Sequence, residues 1–157
     1  MNGISAAVDT LDGTGAYGAR KWAGDNEFVY LYVAGSTPEG APKIISHDGD
    51  EEYMVKTAAP ATLAVYQEVA VVPKLQGATG SGQWCQVRGI CQVLTDGGTD
   101  IAKDDYLELL NTETALVKEG AARTVNSVAI ACEAQAESAD TLTSVNLLGD
   151  RVIIAAS

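Results

Sequence analysis

The chain has 157 residues, enough for one domain with its own core and short for two. Ten basic against 21 acidic residues give a formal net charge of −11, which repels phosphate backbones and anionic lipid and so argues against nucleic acid or a membrane surface as direct partners. No apolar run approaches the roughly 18 residues a membrane helix needs, and MNGISAAVDTLDG lacks the basic start and apolar core of a secretion signal.

Residues 1–45 read as an N-terminal arm and first strand, and residues 46–157 as a β-rich body, within a single domain. Asn2, Gly3, Asp9, Asp12, Gly13, Gly15, Gly18 and Gly24 interrupt the arm too often for a long helix or a regular sheet. Yet Tyr17, Trp22, Phe28, Tyr30 and Tyr32 all fall here, and disordered tails are aromatic-poor. The combination predicts an extended segment that is ordered by lying on something. Residues 28–33 (FVYLYV) are the strong strand, with Phe28, Tyr30 and Tyr32 on one face. Packing on its own core and contact with a neighbouring subunit both fit that pattern.

Residues 36–42 (STPEGAP) read as a turn-rich linker. Residues 47–52 (HDGDEE) hold the densest acidic cluster, but the carboxylates are contiguous and lack the spacing of a calcium loop, so an acidic turn is expected. A short strand follows over 52–56, then a bend at Pro60. Another strand is expected over 68–72, where Val69, Val71 and Val72 are β-branched and Pro73 stops the run. Residues 75–82 (LQGATGSG) read as a flexible loop; the lysine and hydroxyl pair that closes a phosphate loop is missing.

Residues 84–110 are the stretch around which the rest is organised. Cys85, Val87, Gly89, Cys91 and Val93 alternate with Gln86, Arg88, Ile90, Gln92 and Leu94, the period of a strand. The chain is expected to reverse at Asp96-Gly97-Gly98, where residues without a Cβ take positive φ cheaply, and to re-enter as a strand over 101–110. Cys85 and Cys91 then stand roughly 20 Å apart along the strand, too far for a disulfide. With Cys132 they read as three reduced thiols serving as small hydrophobes. Residues 115–119 should run back against 105–110, and residues 128–133 should form a strand buried on both faces. Residues 134–141 read as a polar surface loop, and 145–148 with 151–155 close the domain. Short strands at this spacing predict an all-β protein with little helix, a small sandwich or barrel-like body behind an extended arm.

Nothing in this pattern carries chemistry. A hydrolase triad needs a histidine base beside a nucleophile, and His47, the only histidine, has no such partner at a recognisable spacing. The Cys/His groupings of a zinc site are missing. Asp104 and Asp105, the best carboxylate pair, are adjacent and should point to opposite faces of a strand. The expectation is a protein with no catalytic residue, no metal ligand and no cofactor, and not an enzyme.

From residue 68 to 155 the order of features resembles tailed-phage capsid decoration (cement, head-stabilising) proteins. The residues that carry it are VRGICQVLTDGG (87–98), IAKDDYL (101–107), SVAIACEAQAES (127–138) and SVNLLGD (144–150). Lys103-Asp104 departs from the Gly-Asp of that family, which leaves the conformation of the turn open. The resemblance implies a small β-rich protein, commonly a homotrimer, made in the host cytoplasm. Such a protein binds the major capsid protein on the outer surface of an icosahedral head and braces neighbouring subunits. Tyr17, Trp22, Phe28, Tyr30 and Tyr32 are the candidate contact residues, because aromatics supply large contact area per residue; Trp84 is read as core. The alternative is another virion or surface adhesion module, a head-fibre base or a carbohydrate-binding β-domain.

Overall fold

A computed structural model describes residues 16–45, 54–56, 66–72, 78–110, 113–149 and 151–153. Its strands are β1 (Arg20–Ala23), β2 (Asn26–Thr37), β3 (Pro42–Ile45), β4 (Met54–Lys56), β5 (Tyr66–Val71) and β6 (Ala78–Thr95). They continue with β7 (Tyr106–Glu108), β8 (Val117–Gly120), β9 (Ser127–Ala131), β10 (Thr141–Leu148) and β11 (Arg151–Ile153). The described residues contain no helix, so the protein is all-β as the strand spacing predicts.

β6 is the axis. Its first half, up to Arg88, pairs antiparallel with β2, and its second half, Arg88 to Thr95, pairs antiparallel with β10. The changeover falls at Gly89, whose φ is +93°. A Cβ there would overlap the Asn26 side chain and stand 3.0 Å from the Asp25 carbonyl oxygen, so only glycine fits. The register slips at the same place: Glu27 lies opposite Arg88 but Phe28 opposite Gln86, a β-bulge. The Gln86 side chain, fully buried, secures it. Its Nε2 donates toward Arg88 O at 3.0 Å, Ile90 O at 3.1 Å and Asn26 Oδ1 at 3.2 Å.

Around this axis two layers form. β2 pairs in parallel with β4, β4 with β3, β3 with β5, β5 with β6 and β6 with β2, which closes a ring. Val29, Leu31, Val33, Ile45, Ala70, Val72, Cys85 and Val87 fill it. The path then continues from β6 through β10, β9 and β7 to β8. The inner face of this second layer, with Val93, Leu107, Val128 and Val145, packs on Ile44, Val69 and Val71 from the outside of the ring. β3 and β5 therefore lie between two cores. That is why every residue of Pro42–Ile45 is buried, and why Val69-Ala70-Val71-Val72 is continuously apolar where a half-exposed strand would alternate.

Three expectations are corrected. The strand expected over 101–110 shrinks to β7, which pairs with β8 and β9 and not with β6, whose partners are β2, β5 and β10. Period-two spacing fixes which face a residue takes but not which strand lies alongside. Gly97 and Gly98 do not sit in the left-handed region. Gly97 is needed instead for close approach, because a Cβ there would run into the backbone of Ser138 and Ala139. The presumed linker at 36–42 and loop at 75–82 each begin or end inside strands, since β2 and β6 stay paired as far as Thr37 opposite Ala78. His47, the acidic cluster at 47–52, the Pro60 bend and residues 1–15 of the arm lie outside the described residues.

The turn left open by Lys103-Asp104 is now defined. Asp104 has φ +71°, the one non-glycine residue with positive φ among those described. Asp104→Gly should therefore stabilise the protein by about 0.5 kcal/mol, and Asp104→Ala should destabilise it by about 1 kcal/mol, in urea titrations. Both variants remove the same charge, so the opposite signs isolate the backbone. The next residue points inward. Asp105 Oδ2 accepts from Ala102 N at 2.8 Å and pairs with Lys118 Nζ at 2.9 Å. The Lys118 ammonium, and after it the Ala102 amide, hold the Asp105 carboxyl below its ordinary range. A carboxyl whose folded pKa is depressed adds stability above its unfolded pKa and loses it as pH falls toward the folded one. Lys118→Met should thus lower stability at pH 7 more than at pH 3, measured by urea midpoints at both.

Candidate interaction surface

β1 and β2 form a hairpin around Gly24-Asp25, with Gly24 at φ +61° and open space where a Cβ would be. A glycine at the first central position suits the two-residue loop that such strands favour. This short loop decides where the aromatics go. It sets Trp22 opposite Glu27 and Lys21 opposite Phe28. Cross-strand partners share a face, so Trp22 lies on the face opposite to Phe28, Tyr30 and Tyr32.

On one face Phe28, Tyr30 and Trp84 form a buried cluster against which Ala19 and Ala23 pack. Tyr30 meets Trp84 edge-on, with ring centres 5.2 Å apart. Its ring lies over Gly82, which has no side chain to obstruct it; a Cβ there would be 2.5 Å from the Tyr30 hydroxyl. Tyr17 stacks on Tyr30 at 5.7 Å and meets Tyr32 edge-on at 6.3 Å. Lys21 Nζ sits 4.7 Å from the centre of the Trp84 ring. Phe28 and Tyr30 are thus 0% and 6% exposed, and they support the surface without offering area to a partner. Tyr17 is 51% exposed and Tyr32 partly so. Trp84 is core, as read from the sequence.

On the other face Trp22 is 60% exposed. The register runs from Trp22 through Glu27 to Arg88, and Ile90, 48% exposed, follows two residues beyond on the same face of β6. The charges here are internally compensated. Arg20 reaches from β1 to β5 and grips Glu68 with two contacts, at 3.0 and 2.6 Å, while also meeting Glu27 at 2.8 Å. Arg88 Nε approaches Glu27 from the other side at 3.8 Å. The bond to Glu68, with Glu27 adding and burial opposing, pushes the Arg20 pKa further up, so the guanidinium stays charged. Elsewhere the chain is acidic: the packed loops 96–105 and 133–140 carry seven acidic residues against Lys103 alone.

Sequence reading missed Arg20, Arg88 and Ile90. Arg20 and Glu68 are 48 positions apart, so no local pattern joins them. The placement of Trp22 was within reach, since Gly24-Asp25 is a hairpin signal and counting across it inverts the face.

The three thiols are held in their protonated form. Burial pushes the Cys85 thiol up to about 12 and raises Cys91 as well. Cys132 is raised by burial and by the nearby Glu133 and Asp104 carboxylates. All three favour the protonated thiol, a weak nucleophile and a weak metal ligand. Among the described residues no group of three or more His, Cys, Asp and Glu is placed to hold a metal ion. The surface thus sets exposed aromatics beside a cluster of two cations and two carboxylates paired among themselves.

No family model and no curated protein matches the chain. Among solved structures, a match is the N base of head fiber gp8.5 in bacteriophage phi29. It is 14% identical with a TM-score of 0.49, over 80% of this chain and 96% of that one.

Proposed function

We propose that this chain is a structural virion protein of a tailed phage that binds the outer surface of an icosahedral capsid and stabilises it by bridging neighbouring capsid subunits. The observation that carries the reading is the β1–β2 hairpin. It presents Trp22 on one face, with Tyr17 from the preceding turn stacked on the other, beside charges already paired among themselves, on a chain whose net charge is −11. Adhesion through aromatic area needs little desolvation of free charge. The acidic remainder keeps bound copies from sticking to one another outside the contact. Modest contacts repeated over a closed shell sum to firm retention. The major capsid protein is the partner in this reading, and the bound form is a homo-oligomer, most simply a trimer, without contact to the packaged DNA.

Trp22 tests the reading. Trp22→Ala should weaken co-sedimentation with undecorated heads about tenfold, or about 1.4 kcal/mol per contact. Because the indole is largely exposed, the same change should move the urea midpoint by less than about 0.5 kcal/mol of stability. Binding should also vary little between 50 and 500 mM salt, because the charges at the surface are compensated within the chain. Retention on a glycan column with no affinity for heads would replace this reading with a carbohydrate-binding one.

A further inference from the structure

β7 has a bulge on each side. Toward β8, Tyr106 lies opposite Gly120 and Leu107 opposite Lys118, so Glu119 is the extra residue. Toward β9, Leu107 lies opposite Ala129 and Glu108 opposite Ser127, so Val128 is the extra residue. Gly120, at φ +144° and with open space where a Cβ would be, lets β8 take the first of these. Bulges re-aim side chains, and these two flank Glu108. Its cross-strand partner Ser127, 1% exposed, shares its face.

Glu119 and Ser127 hold the connection between β8 and β9, residues 121–126. Ser127 Oγ donates to Glu119 Oε2 and accepts from Thr124 N at 2.9 Å. Thr124 Oγ1 donates to Glu119 Oε1 and accepts from Asn126 N at 3.0 Å. Two backbone amides are thus tied, each through a hydroxyl, to one carboxylate. Accepting at both oxygens is what an ionised carboxyl does; a protonated one commits an oxygen to donating.

Glu108, half-buried, is the second carboxyl of this cluster and bonds the Asn126 side chain. Burial first, and then the Glu119 charge, raise the Glu108 carboxyl above its ordinary range, with the Asn126 bond opposing them. The other charged and titratable groups on the surrounding elements are Lys118, Arg123 and Tyr106. Lys118 is paired with Asp105, so Glu119 is the charge that acts on Glu108.

We propose that Glu108 is a pH-sensitive latch: a proton taken up there removes the repulsion against Glu119 and tightens the 121–126 loop on the sheet, whether or not the capsid reading holds. A carboxyl whose folded pKa is raised adds stability as pH falls through that value, and the gain is complete below its unfolded pKa. The sign is opposite to that of Asp105. Val125, 67% exposed, projects from the loop, so the proton stiffens the mounting of an apolar tip.

Carboxyl-resolved NMR titration and amide exchange on the full chain test this. Glu108 should titrate above the range of an ordinary glutamate, and Glu119→Gln should bring it down. Thr124 and Asn126 amides, corrected for intrinsic exchange, should be protected about threefold more at pH 5 than at pH 8. Glu108→Gln should give the acid level of protection at both pH values, and Glu119→Gln should leave both amides fast at either. A Glu108 carboxyl that titrates in the ordinary range, or equal protection at pH 5 and pH 8 in the unaltered chain, would overturn the proposal. So would pH-dependent protection that survives Glu108→Gln, which would assign the proton to another group.

Discussion

Gly97→Ala is expected to destabilise the protein by at least about 3 kcal/mol, while Gly98→Ala, one residue on, changes stability by less than about 1 kcal/mol. The two glycines look interchangeable in sequence and differ in what surrounds them. A Cβ on Gly97 would overlap the Ser138 carbonyl oxygen and stand 2.5 Å from the Ala139 carbonyl carbon. Neither atom can swing aside. Ser138 N donates to Gly97 O at 2.9 Å, and Gly97 N donates to Asp140 Oδ1 at 3.1 Å, so the two loops are laced together at that point. A Cβ on Gly98 meets only the Asp96 carboxylate, nearest at 3.0 Å, and that side chain can rotate away. Urea denaturation of both variants decides it. Equal losses would mean that the loop 96–105 does not pack on 133–140 in this way.

Replacing Arg20 has the second large effect. Arg20→Met should cost about 2–3 kcal/mol, because it strands the Glu68 carboxylate, whose side chain is 6% exposed, in the wall of the ring. The guanidinium is itself 41% exposed, so solvent screens its side of the pair and the loss stays below the full cost of breaking a buried pair. Arg20→Lys should recover only part of the loss, since a lysine cannot grip both carboxylate oxygens. The double variant Arg20→Met, Glu68→Gln should regain at least half of it. If the double variant is no better than the single one, the stranded carboxylate is not the cause. Arg20 also ties β1 to β5, so the single variant should loosen the strand that carries Trp22.

How much of this was legible in the sequence depends on whether the deciding contact is local. The strand at 28–33 and its aromatic face were readable, because Phe28, Tyr30 and Tyr32 alternate onto one face, where Phe28 and Tyr30 pack together and Tyr32 meets Tyr17. The strand expected over 128–133 was readable in part: Val128, Ala129 and Ala131 are buried, but Ile130 and Cys132 are only half-buried and the strand ends at Ala131. The pairing of β6 was not readable: its partners are a strand far upstream and one far downstream, and alternation names neither. The extension of β2 and β6 into Gly- and Ser-rich residues was hidden for a related reason. There the ladder holds the backbone with little help from side chains, and composition suggested a loop. The aromatic surface was half readable. Five aromatics near one hairpin pointed to the right region, yet burial of Phe28 and Tyr30 depends on Trp84 and Gly82, which arrive on β6.

The central claim is that this chain works by adhesion to a shell, with Trp22 and Tyr17 as contacts. Calorimetric melting of undecorated heads tests it most directly. Added protein should raise the melting temperature of the heads by several degrees, Trp22→Ala should raise it less, and both should saturate at a fixed number of copies per head. Heads that melt at the same temperature with and without saturating protein would contradict the account.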